Sequence, residues 1–203
     1  MLIDENAQPL MRRFAGAAIV AVTLATLSGC AGAAPGIPGD YPDLTLAETK
    51  SPAQLLRNTA ADRLPANVID ERIESEDVSV ACLSTTDDPG GLIRSWHSSI
   101  DVTILDDTDI DVAALVNDLS DSFVAEGWVA RPLGGSATVT SKLLESAGTS
   151  QTDIQITGLK PDPNQASTSL EEVVEQVTVK IQVHGPCVRT EGPDSAEVQS
   201  LEK

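Results

Sequence analysis

Two imidazoles and a scatter of hydroxyls are the side chains of this sequence most suited to acid–base or nucleophilic chemistry. His97 and His184 are its two histidines. Period-two alternation puts both on the polar phase of predicted strands, beside Ser and Thr residues. An activated hydroxyl needs its base within hydrogen-bond reach and a carboxylate to orient that base. The residue types for such a set are present, but no Gly-x-Ser-x-Gly elbow, Ser-x-x-Lys, His-Glu-x-x-His or Gly-x-x-x-x-Gly-Lys occurs. An exported hydrolase is therefore the least favoured reading, no catalytic residue is assigned, and both histidines are expected on a solvent-facing side. With two histidines and no Cys-x-x-Cys pair, a zinc site lacks ligands at useful spacing. Neither a metal nor a cofactor is expected.

Asp107-x-Asp109-x-Asp111, with Asp118 further on, resembles the ligand order of a calcium-binding EF-hand loop. Position six of that loop should be Gly but is Val112, where an apolar helical face already starts. Carboxylates crowding the positive end of a helix dipole are the simpler account.

The most specific signal lies near the N-terminus. Arg12-Arg13 precedes an uncharged run over residues 14–27, which is too short to span a bilayer but long enough for the apolar region of an export signal. It ends Leu27-Ser28-Gly29-Cys30, which resembles the lipobox of bacterial lipoproteins. The resemblance implies a diacylglyceryl group on the Cys30 thiol and cleavage between Gly29 and Cys30. Residues 1–29 are then a lipoprotein signal peptide. Asp4 and Glu5 are out of place in a basic leader, so Met11 reads as the translation start. Arg12-Arg13-Phe14 lacks the flanking residues of a twin-arginine signal, so general secretion is expected. The whole is similar to small lipoproteins of actinobacteria, many without an assigned activity. Two acyl chains hold a protein stably to a membrane where one does not. The expected location is thus the extracytoplasmic face of the cell membrane.

With Cys30 lipidated, Cys82 and Cys187 remain as an even pair in a compartment where disulfides persist. A bridge between them would close a loop of roughly 100 residues, for which the chain-entropy model assigns about 4.7 kcal/mol.

Charge excludes one class of partner. Thirteen Lys and Arg stand against 31 Asp and Glu, a formal net charge of −18, with no basic stripe to neutralise phosphates, so no nucleic acid is expected. The signal residues Asp4, Glu5, Arg12 and Arg13 cancel, so the mature chain keeps the full −18 and is repelled from anionic headgroups. At 2% aromatic and 41% hydrophobic, the core must be built from Val, Ile, Leu and Ala. Trp96 and Trp128 fall on apolar phases as core or core-edge anchors, or as lining of a shallow groove.

The elements that position these residues follow. Residues 30–47 are Gly/Pro-rich and read as a tether. A helix is expected from the Ser51 cap, with Pro52 first in the helix, Leu55, Leu56 and Leu64 on its apolar side, and Pro65 as its stop. From residue 76, Val78, Val80 and Cys82 share one strand face. The turn-rich 87–91 leads to a second strand, with Trp96, Ile100, Val102 and Ile104 on one face and His97, Ser99, Asp101 and Thr103 opposite. Val112, Leu115, Val116, Leu119 and Phe123 mark a helix over 110–126 closed by Gly127. Strands are expected over 128–133, 137–144 and 153–158, with Gly134-Gly135 as a turn, and the strongest over 177–183. Residues 191–203 read as an acidic flexible tail.

This order predicts an α+β two-layer sandwich over residues 48–190, a mostly antiparallel sheet with helices on one face. A non-catalytic binding or structural domain is the favoured function, its partner an envelope protein or small-molecule ligand. Carriage of an apolar small molecule or lipid is the alternative, and would need a solvent-open apolar cavity between sheet and helix.

Overall fold

The computed structural model describes residues 40–105, 110–147, 151–161 and 176–203. Its elements are α1 (Leu46–Asp62), β1 (Ile69–Ala81), β2 (Ile93–Ile104), α2 (Val112–Val124), β3 (Val129–Gly135), β4 (Val139–Glu145), β5 (Asp153–Leu159), β6 (Thr178–His184), β7 (Val188–Arg189) and α3 (Ala196–Leu201). The strands form a seven-stranded sheet in the order β1-β2-β6-β5-β4-β3, with β7 pairing β2 beyond the end of β6. The neighbouring strands pair antiparallel. Helix α1 packs on β2 and β6, and α2 on β3 through β6. The α+β class and the antiparallel sheet expected from the sequence are both present.

The core forms where apolar strand positions meet the helices. Ile100, Val102 and Ile104 of β2, Ile154 and Ile156 of β5, and Val179, Ile181 and Val183 of β6 are buried with Val112, Val116, Leu119 and Phe123 of α2. At Gly158 the helix comes so close that a Cβ would sit 2.8 Å from Val116 Cγ2 and 2.9 Å from Val112 Cγ2. Trp96 is fully buried. Trp128 lies at the core edge, its ring edge-on to Phe123 at 5.5 Å between centroids.

Helix α1 starts earlier than the Ser51 cap anticipated. Thr45 and Glu48 form a reciprocal capping box, which satisfies two orphan N–H groups at once, and Pro52 lies inside the helix. The fold therefore takes in residues assigned above to the 30–47 tether. The buried stripe is Leu46, Thr49, Ala53, Arg57, Ala60 and Ala61, while Leu55 points outward, 68% exposed.

Strand β1 differs more. It begins at Ile69 rather than 76, and its phase is inverted, with Ser79 buried and Val78 exposed. The cause is the C-terminal segment, which carries a helix where a flexible tail was expected. Ser195 caps α3, Val198 enters the core, and the Glu202 carboxylate accepts both the N–H and the hydroxyl of Ser79 at 2.9 and 2.7 Å. Arg94 donates to the same hydroxyl. Gly134 and Gly135 end β3 instead of forming a turn, with a register shift between Pro132 and Gly134.

Cys82 and Cys187 are joined by a disulfide with Cα atoms 6.1 Å apart, tying the end of β1 to the segment between β6 and β7. Nearby, Asp77 connects three elements. Its Oδ1 accepts from Trp96 Nε1 at 2.8 Å and Ser98 Oγ at 2.9 Å, and its Oδ2 from Gln54 Nε2 of α1 at 2.7 Å.

Two substitutions test this packing by urea denaturation. Gly158→Ala should lower stability by about 1–3 kcal/mol, because two stiff valines must give way; an unchanged midpoint would refute the close approach. Asp77→Ala strands a buried indole N–H and a hydroxyl, and should cost at least about 2 kcal/mol.

Candidate functional site

Register brings together residues far apart in sequence. His97 of β2 lies opposite His184 of β6, which lies opposite Asp153 of β5. The imidazole rings are 4.4 Å apart between centroids and tilted by 44°. His184 Nδ1 is 3.0 Å from Asp153 Oδ1, and His97 Nε2 is 3.0 Å from Glu76 Oε2. A row of carboxylate, imidazole, imidazole and carboxylate thus crosses four strands.

His97 departs from the solvent-facing placement expected for both histidines. It is only 4% exposed, because β1, the His184 ring and neighbouring side chains enclose it. Neither of its ring nitrogens makes a hydrogen bond of good direction, so the Glu76 contact is electrostatic. Burial pushes its pKa below the ordinary 6.5, the nearby His184 pushes the same way, and Glu76 opposes them. His97 is therefore held neutral. The Ser99 hydroxyl, on the same strand phase as His97, pairs with Ser75 Oγ at 2.8 Å. Ser99 Oγ is thus paired with another hydroxyl rather than with an imidazole.

Of the acidic run, Asp107 and Asp109 lie outside the described residues. Asp111 caps α2 by accepting from Ala113 N–H at 3.0 Å, the role given to this cluster above. Among the described residues, no group of three or more His, Cys, Asp or Glu could hold a metal ion. Cys30 and Gly29 also lie outside the described residues.

A second feature is an apolar trough along α1. One lobe of about 160 Å³ is lined by Ala53, Leu56, Trp128 and Gly185, and another of about 330 Å³ by Pro42, Leu44 and Glu48. The lobes share Thr49, Pro52, Thr152 and Pro186. The trough is open to solvent at the end of the sheet, and so differs from the cavity between sheet and helix that a carrier was expected to need. Its position depends on the early start of α1, the signal for which was Thr45-x-x-Glu48.

Among the described residues, no helix is long and apolar enough to cross a membrane. Compared with protein-family models, curated proteins and solved structures, the chain matches none.

The depressed His97 pKa fixes the sign of a pH effect. As pH falls, the unfolded chain takes up this proton before the folded one. The contribution is complete above 6.5 and is lost as pH falls through the lower folded value. Urea midpoints should decline on acidification below neutrality, and His97→Gln should flatten that decline. Glu76→Gln removes the charge that opposes this shift, so the decline should begin at the same pH but run deeper and end at lower pH. A His97→Gln profile parallel to the parent's would refute the buried neutral imidazole.

Proposed function

We propose that this chain is an exported lipoprotein, held by a diacylglyceryl group on Cys30 at the extracytoplasmic face of the cell membrane, with a non-catalytic binding or structural domain. The observation that carries this reading is Leu27-Ser28-Gly29-Cys30 behind an uncharged 14–27 run and Arg12-Arg13. The Cys82–Cys187 bridge supports it, since such bonds persist outside the reducing cytoplasm. The domain is a two-layer sandwich in this reading, with helices covering one face of the sheet and the histidine row on the other. Partners are an envelope protein or a small-molecule ligand rather than nucleic acid, which the −18 charge disfavours. The apolar trough favours a second reading within the same location, carriage of an apolar small molecule.

Processing tests the anchor. Globomycin should cause a precursor to accumulate, and mass spectrometry of the mature protein should show an acylated N-terminus beginning at Cys30. A Cys30→Ala chain should keep its signal peptide. Unchanged processing in both experiments would refute the proposal.

A further inference from the structure

We infer that the trough along α1 takes a single acyl chain of a membrane lipid whose head carries no net charge. The inference rests on the lipoprotein reading for the source of the lipid, but not for the binding chemistry. Its walls come from Pro52 and Leu56 of α1, Trp128 before β3, Pro186 after β6 and Leu44 of the lead-in.

Several polar groups on or beside these walls are already engaged. Thr49 Oγ1 donates to Leu46 O at 2.8 Å, and the Glu48 carboxylate accepts from Thr45 N and Oγ1 at 2.8 and 2.9 Å. Ser146 N donates to Thr152 O across the β4–β5 connection. Recognition therefore falls mainly to apolar contact, and a ligand with a buried polar core would find few partners among the described residues. Lobes of about 160 and 330 Å³ are at the small end of ligand sites, room for one chain rather than a whole bilayer lipid.

Charge and tether select the source. The net −18 and Glu48 on the wall repel a free carboxylate or phosphate monoester, which leaves a neutral or zwitterionic head. Pro42 and Leu44, at the mouth of the larger lobe, lead back to Cys30 through eleven intervening residues, a reach of about 40 Å when extended. An anchored Cys30 would thus limit how far the mouth can stand from the bilayer.

The test uses residues 37–203, which form one compact unit containing the described core, the disulfide and the helix caps. Trp128 lines the trough and Trp96 is fully buried in the core, so quenching by a doxyl-labelled lysophosphatidylcholine below its micellar concentration reports on the trough. Saturable quenching is expected, competed by unlabelled monoacylglycerol and at least tenfold less well by the fatty-acid anion. Trp128→Phe should remove most of the signal. Leu44→Asp, at a 41% exposed position whose change leaves the core intact, should weaken binding at least tenfold with an unchanged circular dichroism spectrum. Absent or unsaturable quenching, or equal quenching of Leu44→Asp, would overturn the inference. So would dimerisation at micromolar concentration that shields Trp128, which would assign the trough to a second copy. The anchor fails separately, because quenching by residues 37–203 does not involve Cys30 and globomycin processing does not involve the trough.

Discussion

The Asp77 carboxylate holds the rest of the architecture in place. It sits on the edge strand β1 and accepts hydrogen bonds from Trp96 and Ser98 of β2 and from Gln54 of α1. Lys50 lies 3.8 Å from its other oxygen and 4.4 Å above the Trp96 ring, and donates to Leu201 O at the end of α3. A partly buried carboxylate is stable only when its lone pairs are engaged, so one side chain, with Lys50, fixes α1, β1, β2 and the C-terminal helix relative to one another. The trough is lined by the same turns of α1, and its position therefore depends on this network.

The rest of the charge follows a simpler logic. Arg57 pairs with Glu74, Arg63 with Glu126, Arg131 with Glu145 and Lys180 with Asp101. The Arg57 guanidinium is itself buried and meets an exposed Glu74, whereas the pairs exposed on both sides add little stability each. Their larger effect is to occupy the scarce cations, so that the outward field stays acidic. On β1 this has a structural use, since an exposed edge crowded with Asp and Glu, and carrying a register shift between Glu74 and Glu76, resists pairing with another chain.

What the sequence made legible follows from how local the signal was. In β6, Val179, Ile181 and Val183 are buried and alternate with half-buried polar residues, so a period of two sufficed. The stripe of α2 was legible for the same reason, and the disulfide followed from counting thiols. The early start and buried phase of β1 were hidden because its inward residues include Asp77 and Ser79, polar groups whose partners on α1, on β2 and at the end of α3 are remote in sequence. Helix α3 has only six residues, too short for a periodic pattern. The start of α1 was written locally in Thr45-x-x-Glu48, but Ser51-Pro52 offered a competing signal of similar strength. The histidine row had no sequence signature, because only strand register places His97 against His184.

That register also bears on the trough. His184 and Asp153 are the last residue of β6 and the first of β5, and the residues just beyond them, Gly185-Pro186 and Thr152, line the trough. The 3.0 Å contact between the two side chains pins the strand ends from which those walls emerge. One residue past Pro186, Cys187 ties the same turn to β1, while the capping box fixes the start of α1 on the facing side. A trough whose walls are held from three directions before anything enters it loses little conformational freedom on binding. Such preorganisation would let a small apolar surface bind a ligand despite its size, and here it comes from the polar groups and sulfur bridge around the trough rather than from its own lining.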